Sequence, residues 1–191
     1  KVSPLLSRRR EAETSTSNVM TNDDLFAKIQ ARWPAVLKAS IPVKDYLTVR
    51  IASPDELVPL ASFLRDEGFD MLDMLTATDH LGPVNMSGFI RQPNFNPFLP
   101  EGATPEIESA ASAGYPYRPA MDLLWSFVSV ANKNRVIVRL EIARQGVRVP
   151  SLTGLFKSAD WQERENFDLL GIQYDGHPNL TKILTPDFLQ G

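Results

Sequence analysis

The side chains able to act as acids, bases or ligands fall into two stretches. Asp79 precedes His80, and Asp175 stands two residues before His177, so each pair sets a carboxylate beside an imidazole. That is the composition of a general acid–base couple, provided the groups approach within hydrogen-bond reach. The densest group lies between 159 and 170. There Trp161, Arg164, Glu165 and Asp168 would share one stripe of a helix, because residues three and four apart are neighbours. Glu163, Phe167 and Leu170 would lie along another. An arginine among carboxylates can be held in a bidentate network and tolerate burial against a partner surface. The same spacing also describes an exposed helix, whose ion pairs contribute a few tenths of a kcal/mol each. Both readings stay open on spacing alone.

Cysteine is absent, which excludes disulfides, thiolate zinc sites, a cysteine nucleophile and iron–sulfur ligation by this chain's own thiolates. With two histidines, a metal site would need carboxylates or another chain to complete it. No G-x-G-x-x-G or G-x-x-x-x-G-K-[ST] phosphate cradle occurs, and neither G-x-S-x-G nor H-E-x-x-H is present.

The elements that must position these residues can be traced in order. Ser158 is placed to cap a helix from Ala159 to Leu170, closed by Gly171. In Tyr174-Asp175-Gly176-His177-Pro178, Asp-Gly marks a turn and Pro178 holds His177 extended, so the imidazole is presented at a rigid corner. Catalysis, ligation and simple hydrogen bonding all remain open for it. Asn179 can then start a short helix through Lys182, Ile183 and Leu184.

Upstream, Thr21 and Asp24 have capping-box spacing for a helix from Asp23 to Trp33, ended by Pro34. Residues 46–52 alternate as a half-buried strand, with Leu47, Val49 and Ile51 inward and Thr48 and Arg50 outward. Ser53-Pro54-Asp55-Glu56 starts a second helix, with Leu57, Leu60, Ala61 and Leu64 as its apolar stripe and Gly68 as its stop. Pro59 inside it predicts a bend or a late start. Residues 69–81 read as a strand. The clearest β signal lies in 121–130 and 135–143, which predict an antiparallel hairpin through Asn132-Lys133-Asn134. The fold class is α+β: helices packed on a mixed, mostly antiparallel sheet. The domain spans 21–191, with a long proline-rich loop at 91–119 and a C-terminal helix-plus-corner segment. Residues 1–20, polar and without apolar periodicity, read as a mobile arm, its Arg8-Arg9-Arg10 triplet solvated.

The whole chain has 191 residues, enough for one domain to bury a sizeable core without staples. Twenty basic against 23 acidic residues give a net charge of −3, so no general attraction to nucleic acid is expected. The longest apolar runs fall well short of the roughly 18 residues that cross a bilayer, which leaves membrane association to a partner.

The C-terminal block also carries a resemblance. Glu163-Arg164-Glu165, then Asp168-Leu169-Leu170, then His177-Pro178, then Ile183-Leu184, within PSLTGLFKSADWQERENFDLLGIQYDGHPNLTKILTP from Pro150 to Pro186, resembles the 30-kilodalton subunit family of respiratory complex I. In bacteria this is the C subunit of the proton-pumping NADH:quinone oxidoreductase. A weaker likeness covers Phe69 to Asp79. Three departures stand out: Thr181 replaces a usual basic residue, His80 a usual aromatic one, and the 91–119 loop is longer than usual.

The resemblance implies a structural and assembly subunit of the hydrophilic arm, docked on the 49-kilodalton-type subunit. It further implies that the chain binds no flavin, cluster or metal, although the complex uses NADH, flavin, iron–sulfur clusters and quinone. Such a chain would be inert by itself and peripheral on the cytoplasmic face of the bacterial inner membrane, or on the matrix side in mitochondria. Glu163, Arg164, Glu165, Asp168, His177 and Pro178 would then serve the fold and its docking surface, with no catalytic residue among them. The alternatives are the equivalent subunit of a membrane-bound hydrogenase or formate hydrogenlyase, a free-standing adaptor, or a lone enzyme built on the two Asp–His pairs.

Overall fold

In the computed structural model, which describes residues 21–40, 44–81, 117–146 and 148–186, the first element is the one that local capping predicts. Helix α1 (Asn22–Arg32) opens on a capping box: the Thr21 hydroxyl accepts from the Asp24 amide, and the Asp24 carboxylate accepts from Thr21. Strands β1 (Leu37–Lys38) and β2 (Leu47–Arg50) follow. The box on Ser53 and Glu56 also forms, but it opens a 3-10 turn over Pro54–Glu56, and helix α2 (Leu57–Asp66) begins only at Leu57. Pro59 therefore sits in the first turn, where a missing N–H costs nothing. This is the late start that the proline predicts.

Strands β3 (Met71–Asp79), β4 (Ala120–Ser129) and β5 (Asn134–Ala143) supply most of one sheet, whose order is β1-β2-β5-β4-β3. The β4–β5 hairpin is antiparallel as expected, and among the described strands of this sheet only β2 on β5 runs parallel. Mixed and mostly antiparallel, the sheet makes the fold α+β. Leu123, Trp125 and Phe127 of β4 and Val136, Val138 and Leu140 of β5 share one buried core with Leu25 and Ile29 of α1 and Leu57, Leu60 and Leu64 of α2. Thr48 departs from expectation. It is 1% exposed, beside the equally buried Ile137 of β5, whereas Arg50 on the same face of β2 is exposed as expected.

Helix α3 (Ala159–Leu170) completes the fold, with β6 (Arg148–Pro150) and β7 (Gln173–Asp175) forming a small parallel pair beside it. Its position solves a problem the sheet creates. Strand β3 is an edge, and an edge leaves a row of backbone carbonyls to be satisfied. Side chains four residues apart on α3 do this: Ser158 Oγ donates to the Leu72 carbonyl (2.7 Å), Gln162 Nε2 to that of Asp73 (3.5 Å) and Asn166 Nδ2 to that of Leu75 (3.2 Å). A bulge between Leu72 and Met74 turns successive carbonyls outward to meet them. Ser158 is therefore no helix cap. Its backbone is already helical, and its hydroxyl anchors the helix to the strand. Replacing buried Asn166 by alanine would strand the Leu75 carbonyl at a cost of about 1–3 kcal/mol, read as a fall in the urea midpoint at constant slope.

Residues 179–184 form no helix. The amides of 183–185, which would start or continue one, are bonded instead to the Asp168 carboxylate. The expected arm over 1–20 lies outside the described residues, as does all of the 91–119 loop up to residue 116.

Candidate functional site

Helix α3 ends where Gly171 takes φ +72°, a left-handed turn that a side chain would strain, and the chain then reverses into β7 and the 174–178 corner. That reversal brings the segments on either side of α3 back against it. Most of the charges in the block find a local task there.

Glu163 points inward and is fully buried. Its Oε1 accepts from the Leu152 amide (2.7 Å) and its Oε2 from the Ser151 hydroxyl (2.6 Å). Ser151 Oγ in turn accepts from the Thr153 amide (3.1 Å) and lies 2.8 Å from the Thr153 hydroxyl. One carboxylate thus ties the loop after β6 to the middle of α3. Burial pushes its pKa up, against the opposing pull of the Ser151 hydroxyl and the Leu152 amide. The neighbouring Tyr174 phenol is also pushed up, by burial and by the Glu163 charge.

Asp168 works at the other end of the helix. Its Oδ2 accepts from the amides of Ile183 (2.9 Å), Leu184 (2.6 Å) and Thr185 (2.9 Å), while Oδ1 accepts from the Thr185 hydroxyl. Desolvation pulls its pKa upward, but the Thr185 hydroxyl and the three amides outweigh it and hold the carboxyl far below the usual range. Three convergent N–H donors on one oxygen make a nest for the anion, here supplied by the chain itself.

Arg164 pairs with no carboxylate among the described residues. Its Nε donates to the Thr181 carbonyl (3.1 Å) and its terminal nitrogen to the Thr181 hydroxyl (3.0 Å), with the guanidinium 5.2 Å from the Trp161 ring centroid. Thr181 is therefore its anchor. Glu165 faces solvent, and no described residue pairs with it. The bidentate Arg–carboxylate network that the spacing allows does not form, since i,i+4 neighbours on α3 are each drawn to a different backbone segment.

His177 belongs to the same clasp. Its Nδ1 accepts from the Asn179 amide (3.0 Å), so Nε2 carries the proton and donates to the Asp160 carbonyl (3.2 Å), with Asp160 Oδ1 also 3.2 Å away. Pro178 is exposed, and Gly176 turns the corner at φ +83°. Of the three uses open to this histidine, the geometry supports hydrogen bonding, since both ring nitrogens have partners inside the chain.

The Asp–His couples of the lone-enzyme alternative do not assemble. Asp175 pairs with Arg148 (Nε 2.8 Å), and Asp79 with Arg144 (2.9 Å) and the Leu81 amide. His80 instead lies 3.2 Å from Asp122, which also accepts from Arg139. This buried cluster adjoins a cleft of about 350 Å³ where Glu141 holds Arg118 (2.5 Å) and Arg50 (3.6 Å). Sequence reasoning missed it because its members come from strands far apart in the chain. The only signal was a run of charges at alternate positions, Asp122 on one strand and Arg139 and Glu141 on the other. Also missed was Asn166, whose position four residues from Gln162 and eight from Ser158 was the available sign. Among the described residues, no group of three His, Asp or Glu side chains is placed to hold a metal ion, and no helix is long and apolar enough to cross a membrane.

Comparison with known proteins fits this arrangement. Residues 50–191 match the family described as the respiratory-chain NADH dehydrogenase 30 kDa subunit. The C subunit of NADH-quinone oxidoreductase from Roseiflexus castenholzii is 29% identical over 175 residues, 90% of this chain and 80% of that one. The C subunit from Moorella thermoacetica is 40% identical over 85 residues, covering 44% and 57% of the two chains. Among solved structures, the trypsin-resistant fragment of Nqo5 superposes with a TM-score of 0.56 at 20% identity over 84% of this chain and all of the fragment. A chain of an archaeal membrane-bound sulfane sulfur reductase gives the same TM-score at 15% identity, over 81% and 71%. At those identities the structural likeness speaks for the fold, whereas the sequence match spans most of the chain and includes the whole α3 clasp. The chain is a member of the 30 kDa subunit family of the respiratory-chain NADH dehydrogenase.

Proposed function

We propose that this chain is a non-catalytic structural and assembly subunit of a proton-pumping NADH:quinone oxidoreductase, placed in its hydrophilic arm and docked on the 49-kilodalton-type subunit. The observation that carries the non-catalytic part is the internal use of the block's polar atoms. Glu163, Asp168 and His177 each bind the chain's own backbone, as Arg164 binds Thr181, so the chemistry of the block goes into holding a surface in shape. Relatives that carry the oxidoreductase name supply the assembly. On this reading NADH, flavin, iron–sulfur clusters and quinone are bound by other subunits, and the isolated chain is inert. It meets the membrane only through the complex, on the cytoplasmic face in a bacterium or the matrix side in a mitochondrion.

The test is a mild-detergent pulldown of the chain from its native membranes with mass spectrometry. Recovery of a 49-kilodalton-type subunit together with NADH-binding subunits is expected. A nickel–iron hydrogenase subunit without the NADH-binding module would assign the chain to that branch instead, and a chain that returns alone would fit a free-standing adaptor. In the same assay Arg164→Ala is expected to recover markedly less partner, while the isolated chain's melting temperature falls by no more than about 4 °C, because a half-exposed arginine on a threonine and an indole contributes about 1 kcal/mol. Unchanged recovery with an earlier melt would make Arg164 a fold residue only.

A further inference from the structure

Helix α3 satisfies the edge of β3 only part of the way. His80 faces β4, since its amide donates to the Ala120 carbonyl (2.9 Å) and its carbonyl accepts from Arg118 (2.7 Å). Leu75, whose carbonyl reaches Asn166, faces the other way. Backbone groups alternate along an antiparallel strand, so Ala77 and Asp79 turn both N–H and C=O outward with Leu75. No described residue bonds to those outward groups of Ala77 and Asp79. The reason lies on α3. Its capping stripe runs Ser158, Gln162, Asn166, and the next position is Leu170, which has no hydrogen-bonding group.

Beside this open edge lies a groove of about 390 Å³ lined by Met74, Thr76, Ala77, Glu165, Leu169 and Leu170. Met74 is 41% exposed and Leu169 55%, two apolar side chains in the lining of this groove, together with the unpaired Glu165 carboxylate. Outward amides, flanking apolar side chains and one fixed charge are the elements of strand addition.

We propose that the edge of β3 from Leu75 to Asp79 receives an extended segment of a partner protein. The segment places an apolar side chain between Met74 and Leu169 and a lysine or arginine against Glu165. The charge argues for a partner: exposed Glu165 lines the groove and has no cation paired with it among the described residues, so a basic side chain on the incoming segment would supply the missing counter-charge. The inference deepens the assembly reading and rests on it.

Ala77→Pro tests it directly, since proline deletes an outward N–H that β4 does not use and blocks an incoming strand without breaking the sheet. Glu165→Lys, on the exposed helix face, is an independent second variant. Both go into the pulldown from native membranes, with melting of the purified chains in parallel. The expected result is that both variants melt like the wild type and recover the 49-kilodalton-type subunit roughly tenfold less. Wild-type-like recovery by both overturns the proposal and leaves the assembly reading intact. A wild-type chain that brings down no such subunit overturns both. A purified chain that is dimeric, made monomeric by Ala77→Pro with recovery unchanged, overturns it in favour of a second copy.

Discussion

Glu163→Ala is expected to destabilise the isolated chain by about 3–5 kcal/mol, lowering its melting temperature by roughly 6–20 °C. The side chain is fully buried, and its removal leaves the buried Leu152 amide with no acceptor and takes from the part-buried Ser151 hydroxyl its carboxylate partner. Glu163→Gln keeps one acceptor oxygen but turns an amide donor toward a second donor, so an intermediate loss is expected. Burial raises the pKa of Glu163 above its reference of 4.5. The folded state therefore holds this proton more tightly than the unfolded one, and the group's contribution is full below 4.5 and declines as pH rises through the folded value. Denaturation midpoints of wild type and Glu163→Gln across that window will show a declining component in the wild type alone. Equal pH slopes, or an alanine variant as stable as wild type, would mean the carboxylate does not hold the 150–156 loop.

Asp168→Asn is expected to act with the opposite sign. Its carboxyl is held well below the reference of 3.8, so its contribution is full above that value and is lost as pH falls below it. The asparagine variant lacks this acid-sensitive component at every pH. It also offers one acceptor oxygen where two collect four donors, so the 183–185 segment should detach from α3. Hydrogen exchange at the Ile183, Leu184 and Thr185 amides is the direct readout, with rates rising toward those of an unprotected chain while the β4–β5 hairpin stays protected. If docking uses the surface that this segment forms with exposed Trp161 and Leu184, partner recovery falls together with that protection. Unchanged exchange at the three amides would show that the carboxylate is not what holds them.

Local rules made several elements readable in advance. Both capping boxes, on Thr21 and on Ser53, are decided by residues three apart and formed as written. Alternation from Arg135 to Ala143, interrupted at Ile137, was enough for the hairpin, because a strand whose one face is buried tolerates no slip of register. The family block was legible too, although the geometry of its charges was not. From spacing, Arg164 belongs with its carboxylate neighbours. In the folded chain it reaches Thr181 instead, while Glu163 and Asp168 reach backbone donors of their own, because those donors would otherwise go unpaired and a charged acceptor satisfies them best. The short helix expected after Asn179 failed for the same reason, its amides having been taken by Asp168.

The longer helices and strands, their order and the family block follow from neighbours along the chain, whereas the short strands β1, β6 and β7 did not announce themselves there. Packing was needed to make β3 an edge, to set Ser158, Gln162 and Asn166 on its carbonyls, and to end that capping at Leu170. Those outcomes depend on which strand ends up outermost and which helix lies against it. A hydrogen bond between residues some 90 positions apart leaves no periodicity in either segment, so only the packed sheet could reveal which backbone groups were satisfied and which were left open.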